Sequence, residues 1–160
     1  MEFKTVDINI PENCNIILGQ SHFIKTVEDL YEIMITAVPG AKFGIAFSEA
    51  SGVCLIRSEG NDNWLKGVAA DNVKNVACGH FFCIVMSGAF PINVLNAVKN
   101  CQEVANIFCA TANPLEVVVA ETAQGRGVMG VIDGFPPKGI ETPDDISQRK
   151  GFLRKIGYKL

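Results

Sequence analysis

The sequence predicts an α/β or α+β fold: a single layered domain over residues 1–160, with a mixed sheet and about three to four helices. Three observations lead there. Apolar residues recur at helical spacing in three separate stretches, alternating or compact apolar runs mark seven or eight strands, and β–β connections are interspersed with β–α ones. A chain of 160 residues also lies in the range of about 100–200 expected of one domain, which argues against a two-lobed enzyme.

Residues 5–10 alternate polar and apolar, residues 15–18 carry an Ile-Ile-Leu run, and the turn Pro11-Glu12-Asn13 between them predicts an opening hairpin. Thr26, with Asp29 three positions on, reads as a helix N-cap. Val27, Leu30, Tyr31, Met34, Ile35 and Val38 then repeat at helical spacing until Pro39-Gly40. Residues 42–48 and 53–57 are apolar strands around Glu49-Ala50-Ser51-Gly52. Residues 62–77 place Trp64, Leu65, Val68, Ala69, Val73 and Val76 on one helical stripe. A buried strand is expected over 80–87, then a helix from Pro91 through about Val104, since proline suits a first helical turn. Strands at 106–110 and 115–121 flank Ala112-Asn113-Pro114, a glycine-rich segment encloses a strand at 128–132, and residues 144–156 suit a surface helix.

Composition narrows the function. Hydrophobic residues make up 48% of the chain and charged ones 19%, far from the composition of disordered chains. Fourteen Lys plus Arg against seventeen Asp plus Glu give a net charge of -3, without the basic excess that nucleic-acid binding requires. The most apolar stretch, residues 76–90, contains His80 and falls short of the roughly 20 residues of a membrane span. The N-terminus lacks the cationic start and apolar block of a signal peptide, so a cytoplasmic protein is expected. The six cysteines are then expected to be reduced core thiols. None forms a C-x-x-C pair, and neither His22 nor His80 stands at finger spacing from them, so only residues distant in sequence could assemble a metal site.

Several segments could carry chemistry. His80 stands at the edge of the apolar run Phe81-Phe82-Cys83-Ile84-Val85-Met86, where burial and one oriented hydrogen bond would hold its imidazole neutral and nucleophilic towards phosphorus; a histidine can equally serve there to satisfy a carbonyl. Gly125, Gly127 and Gly130 match G-x-G-x-x-G, and Arg126 between the first two could present a guanidinium to phosphate. The match lacks the strand-to-helix context of a dinucleotide fingerprint, and a plain hairpin turn explains it as well. No G-x-x-x-x-G-K-[ST] is present, which excludes a P-loop kinase at motif level.

Pro91, Asn93 and Asn96 open a predicted helix whose free amides could hold phosphate or read a base, or simply cap the helix. Asn113, Glu121 and Asp133 lie at predicted strand ends, where they could meet a ligand or close turns. Lys42 could supply a cation, and Glu49 and Asp62 are candidate ligands for a nucleotide-bound magnesium ion; solvated surface charge is the other reading of all three.

Taken together, these stretches resemble one family. The run from Pro39 to Gly52, Gly79-His80, Phe90-Pro91-Ile92-Asn93-Val94-Leu95-Asn96-Ala97, Cys109-Ala110-Thr111-Ala112-Asn113-Pro114, Ala120-Glu121-Thr122, Gly125-Arg126-Gly127 and Asp133-Gly134 are similar, in one order along nearly the whole chain, to the adenosine-specific kinases. The resemblance implies a small α/β homotrimer that binds adenosine and its nucleotides ATP, ADP or AMP and carries a phosphorylatable histidine. His80 is the matching position. Cys78 departs from the small non-thiol residue of the family pattern and raises the question of redox sensitivity.

The expectation is therefore an adenosine-directed phosphotransferase with His80, Arg126 and Lys42 as its catalytic groups. Pro91, Asn93, Asn96, Asn113, Gly125, Arg126 and Gly127 are the candidate nucleotide contacts. A non-enzymatic adenine-nucleotide sensor and a nucleotide phosphatase are the alternatives. Neither nucleic acid nor membrane is an expected partner.

Overall fold

The computed structural model describes residues 1–160. Its strands are β1 (Glu2–Asp7), β2 (Cys14–Ser21), β3 (Lys42–Ser48), β4 (Ile56–Gly60), β5 (Phe81–Ser87), β6 (Val104–Thr111), β7 (Leu115–Glu121) and β8 (Arg126–Asp133). The helices are α1 (Thr26–Ala37), α2 (Asn63–Val76), α3 (Leu95–Lys99) and α4 (Pro143–Lys155). Two sheets result, a five-stranded one in the order β4-β3-β5-β2-β6 and a three-stranded one in the order β1-β7-β8. The fold is α+β.

Every strand pair is antiparallel, so the mixed character expected of the sheet is confined to one isolated parallel bridge, Cys78 to Arg126. The expected opening hairpin does not form. β1 pairs with β7, Thr5 opposite Val118, whereas β2 runs between β5 and β6 in the other sheet. The helix expected from Pro91 to Val104 is also shorter: a 3-10 turn at Pro91–Asn93 gives way at Val94, φ −125°, to the single turn and a half of α3.

The five-stranded sheet is buried on both faces. One face carries Ile16, Leu18, Ala46, Phe81, Cys83 and Val85 against Leu65, Val68, Ala69, Val73 and Val76 of α2 and Leu115, Val117 and Val119 of β7. The other carries Ile17, Phe43, Ile45, Phe47, Phe82, Ile84 and Met86 against Val27, Leu30 and Met34 of α1 and Val98 of α3. Alternation along each central strand thus feeds two cores, which is why these strands read as nearly continuous apolar runs. Helix α2 lies close on β3 because a Cβ at Gly44 would stand 2.2 Å from the backbone at Leu65 and Lys66. Buried Asn72 accepts from the Asn9 N–H at 2.9 Å and donates to the Asn9 carbonyl at 2.8 Å, tying α2 to the chain after β1.

Thr26 is the first residue of α1 rather than its cap; its hydroxyl hydrogen-bonds the Phe23 carbonyl and Ser21 Oγ. Asp62 caps α2 by accepting from the Leu65 N–H at 3.0 Å. No helix is long and apolar enough to cross a membrane. All six cysteines are unpaired, but they are not all core: Cys54 is exposed on the β3–β4 loop, and Cys101 and Cys109 are half-buried.

Candidate functional site

The connection from α2 to β5 is Ala77-Cys78-Gly79-His80. Two of its four residues, Ala77 at φ 54° and His80 at φ 60°, hold the left-handed conformation without being glycine. That region costs an L-residue about 1–2 kcal/mol and persists only where the surroundings enforce it. Here they do. The His80 N–H donates to the Ser48 carbonyl at 2.8 Å, and the His80 carbonyl accepts from the Ser21 N–H at 2.9 Å. Its ring stacks on Phe47 with centroids 5.8 Å apart and planes 16° from parallel. The residue before it must be glycine, because a Cβ at Gly79 would meet the Ala50 Cβ at 2.9 Å.

Gly79 also forms part of the wall of the largest cleft, about 790 Å³, which opens between this connection, the loop after β3 and the β7–β8 turn. Polar groups on it come from Ser48, Glu49, Lys74, Thr122, Gln124 and Arg126, and Gly125 and Gly127 flank the arginine. The parallel bridge between Cys78 and Arg126 holds the two loops side by side. Arg126 donates through Nε to Glu121 and through Nη1 to the Asn75 carbonyl at 3.3 Å. Glu121 also pairs with Lys4 at 3.0 Å; Lys4 first, then Arg126, hold its carboxyl below the usual carboxylate range. Burial pushes the Cys78 thiol up to about 11, against the opposing pull of Arg126. With 2% exposure, Cys78 is a shielded thiol rather than a redox handle.

His80, Arg126, Gly125, Gly127 and Glu49 are therefore brought to one end of the molecule. The other candidates are not. Lys42 opens β3 while Ser48 ends it, so seven residues, about 20 Å of strand, separate Lys42 from the His80 end. Lys42 is exposed and faces Asp62 at 3.8 Å. Lys42 pairs in register with Ser87, after which the chain enters Pro91–Asn93, so Pro91, Asn93 and Asn96 share the far end. Asn93 Oδ1 accepts from the Phe90 N–H at 2.9 Å, the capping role. Asn113 lies at that end too, donating to Asp133 Oδ1 at 3.1 Å beside Thr111, which donates to the same oxygen at 2.8 Å.

The same geometry separates the two carboxylates considered for magnesium. Glu49 is near His80, and its oxygens are already engaged, Oε1 by Arg57 and Oε2 by the Leu55 N–H, both at 2.9 Å. Asp62 is across the sheet capping α2. They do not fit one ion.

Arg57 was not singled out from the sequence, where it is one charge among several in residues 57–62. Its position opposite Phe47 in the β3–β4 register puts it beside the ring on which His80 stacks. Its Nε is buried without a hydrogen-bond partner. Lys74, half a turn from the end of α2, is a second cation on the cleft that the sequence did not single out.

A strained, clamped histidine thus stands next to a cleft on which Lys74, Arg126 and the backbone at Gly125 and Gly127 meet. The profile of the family described as adenosine specific kinase matches residues 6–159, and the chain belongs to that family. Among solved structures, the PH1918 protein of Pyrococcus horikoshii OT3 is similar over 99% of this chain and 98% of its own, with 47% sequence identity and a TM-score of 0.96. No curated protein matches the chain.

Proposed function

We propose that the chain is an adenosine-directed phosphotransferase in which His80 accepts a phosphoryl group from an adenine nucleotide seated in the 790 Å³ cleft. The observation that carries the reading is the enforced left-handed backbone of His80, clamped on both sides and joined to that cleft through Ser48 and Gly79, which line it. Strain held in place by its surroundings clusters at functional sites. The cleft volume suits a nucleoside-sized ligand.

In the proposed step a lone pair of the neutral imidazole attacks the γ-phosphorus of ATP. The N–P bond forms as the bond to the β–γ bridging oxygen breaks, and ADP leaves with the electron pair. Positioning and charge stabilisation are the main demands of such a transfer. Arg126 and Lys74 supply positive charge, and the backbone at Gly125 and Gly127 allows close approach. Onward transfer reverses the polarity: an acceptor hydroxyl oxygen bonds phosphorus, the N–P bond breaks, and the hydroxyl proton passes to the imidazole.

Intact-mass measurement after incubation with ATP tests this. One added phosphate per chain, lost in acid and kept in base, is expected. An unchanged mass with bound nucleotide would favour a sensor, and free phosphate without a labelled acceptor a phosphatase.

Self-assembly as a homotrimer belongs to the same proposal. α4 buries none of its residues, and Phe135, Ile140, Phe152, Ile156 and Tyr158 of the C-terminal segment are all exposed. Several large apolar side chains left exposed in one segment favour a partner. Light scattering should return three times 17.3 kDa, and a monomer mass would overturn the assembly.

A further inference from the structure

On the far side of the five-stranded sheet from α2, three residues distant in sequence converge. Asp29 is in the first turn of α1, and Cys101 and Glu103 are in the short connection from α3 to β6. That connection is pinned by its own backbone. The Cys101 N–H donates to the Val98 carbonyl at 3.2 Å, the Val104 N–H to the Cys101 carbonyl at 3.1 Å, and the His22 N–H to the Glu103 carbonyl at 3.1 Å. One ligand atom from each of Asp29, Cys101 and Glu103 lies within 4.8 Å of the other two.

Glu103 is the anomaly. It is 1% exposed, and neither carboxylate oxygen has a hydrogen-bond partner. The ammonium of Lys25 is 3.9 Å from Glu103 Oε2, beyond hydrogen-bond reach, because it is committed to Asp29 at 2.9 Å. A buried carboxylate with its lone pairs unused is costly and calls for a cation or a proton. A groove of about 480 Å³ between α1 and α3, with Asp29 and Cys101 on its wall, leads from solvent to the cluster.

We propose that Asp29, Cys101 and Glu103 bind a zinc-class divalent cation at the base of this groove. One thiolate with two carboxylates suits zinc or cobalt better than magnesium or calcium, which take all-oxygen sets. Three protein ligands leave a fourth tetrahedral position to water from the groove. Binding replaces the Cys101 thiol proton by the metal and releases that proton to solvent. Lys25, whose side chain is 43% exposed, withdraws into water as the metal takes over its electrostatic role. The site does not depend on the phosphotransferase reading.

Cobalt(II) added to the metal-free full-length protein provides the test. One equivalent should bind with a thiolate-to-cobalt charge-transfer band that zinc abolishes by competition. Cys101→Ser should remove the band, Glu103→Gln should weaken binding at least about tenfold, and Cys54→Ser should change neither. Lys25→Met should tighten binding by removing the competing ammonium, a gain that a loss of folding cannot mimic. No band in the parent protein, a band that survives Cys101→Ser, or unaltered affinity in Glu103→Gln or Lys25→Met would overturn the site and leave Asp29 and Glu103 as a proton-sharing pair.

Discussion

The imidazole of His80 lies over the ring of Phe47, with centroids 5.8 Å apart, while the backbone at His80 stands at φ 60°. Stacking holds the ring, and the hydrogen bonds on either side hold the backbone. The backbone and the ring can be tested separately. His80→Ala and His80→Gly both remove the proposed acceptor and should both abolish phosphoryl uptake, leaving much of the nucleotide affinity. Glycine accepts φ near 60° without steric cost, so His80→Gly should be more stable than His80→Ala by about 1 kcal/mol in urea denaturation. Equal stabilities would mean that the strain is not held in solution, and undiminished labelling of either variant would remove His80 as acceptor.

Arg126 is tethered to Glu121 and to the Asn75 carbonyl, with the rest of its guanidinium facing the cleft. If it serves phosphate, Arg126→Ala should weaken ATP binding by about tenfold or more, the value of one lost charge-assisted hydrogen bond of about 1.5–3 kcal/mol. Adenosine, which has no phosphate, should lose far less. Calorimetric titration with both ligands decides it, and equal losses would place Arg126 outside the phosphate subsite.

Much of this site was legible before the fold, but in pieces that could not be ranked. His80, Arg126 and the glycines beside it stood out because a lone histidine ending an apolar run and an arginine between glycines break the local pattern. What the pattern could not convey was which strand ends share an edge. Lys42 and Glu49 sit seven positions apart, yet an extended strand separates them by its whole length, so the pair that looked local is split. The pairing of β1 with β7 was equally hidden, since alternation identifies a strand but not its partner, and a turn signal at Pro11-Glu12-Asn13 favours the nearest one. Arg57 acquires its place only through register with Phe47. The cluster of Asp29 with Cys101 and Glu103 joins the first turn of α1 to the α3–β6 connection, which no spacing rule links.

Glu49 supplies a pH test of the loop that clamps His80. The Leu55 N–H, then the Arg57 guanidinium, hold its carboxyl below the usual carboxylate range. A group depressed in this way stabilises the fold at pH above its unfolded value, about 4.3, and that contribution is lost as pH falls through the lower folded value. Glu49→Gln should therefore be less stable than the parent protein near neutrality, with the gap closing below about pH 4. Urea denaturation across that range checks it; a gap that stays constant as the pH falls would show that ionisation of Glu49 plays no part.

The asparagines at the far end of the sheet distinguish a site within one chain from one shared between copies. Asn93 Oδ1 caps the Pro91–Asn93 turn by accepting from the Phe90 N–H at 2.9 Å, and Asn113 Nδ2 donates to Asp133 at 3.1 Å. These groups are about 20 Å of strand away from the His80 end. Within one chain they cannot touch a nucleotide seated beside Arg126. Asn93→Ala should then cost about 1 kcal/mol of stability through the lost cap while leaving the rate of phosphoryl uptake and the preference for adenosine over guanosine unchanged. Measured on the assembled protein, the same substitution acquires a second meaning. If neighbouring copies set the Asn93 end of one against the His80 end of the next, Asn93→Ala should instead erode the base preference, because guanine exchanges the amino donor of adenine for a carbonyl acceptor and only a positioned amide reads that difference. Titration of Asn93→Ala with adenosine and guanosine, beside the parent protein, therefore decides between the two: an unchanged ratio confines the site to one chain, and a ratio falling towards one makes the far end part of a neighbour's pocket.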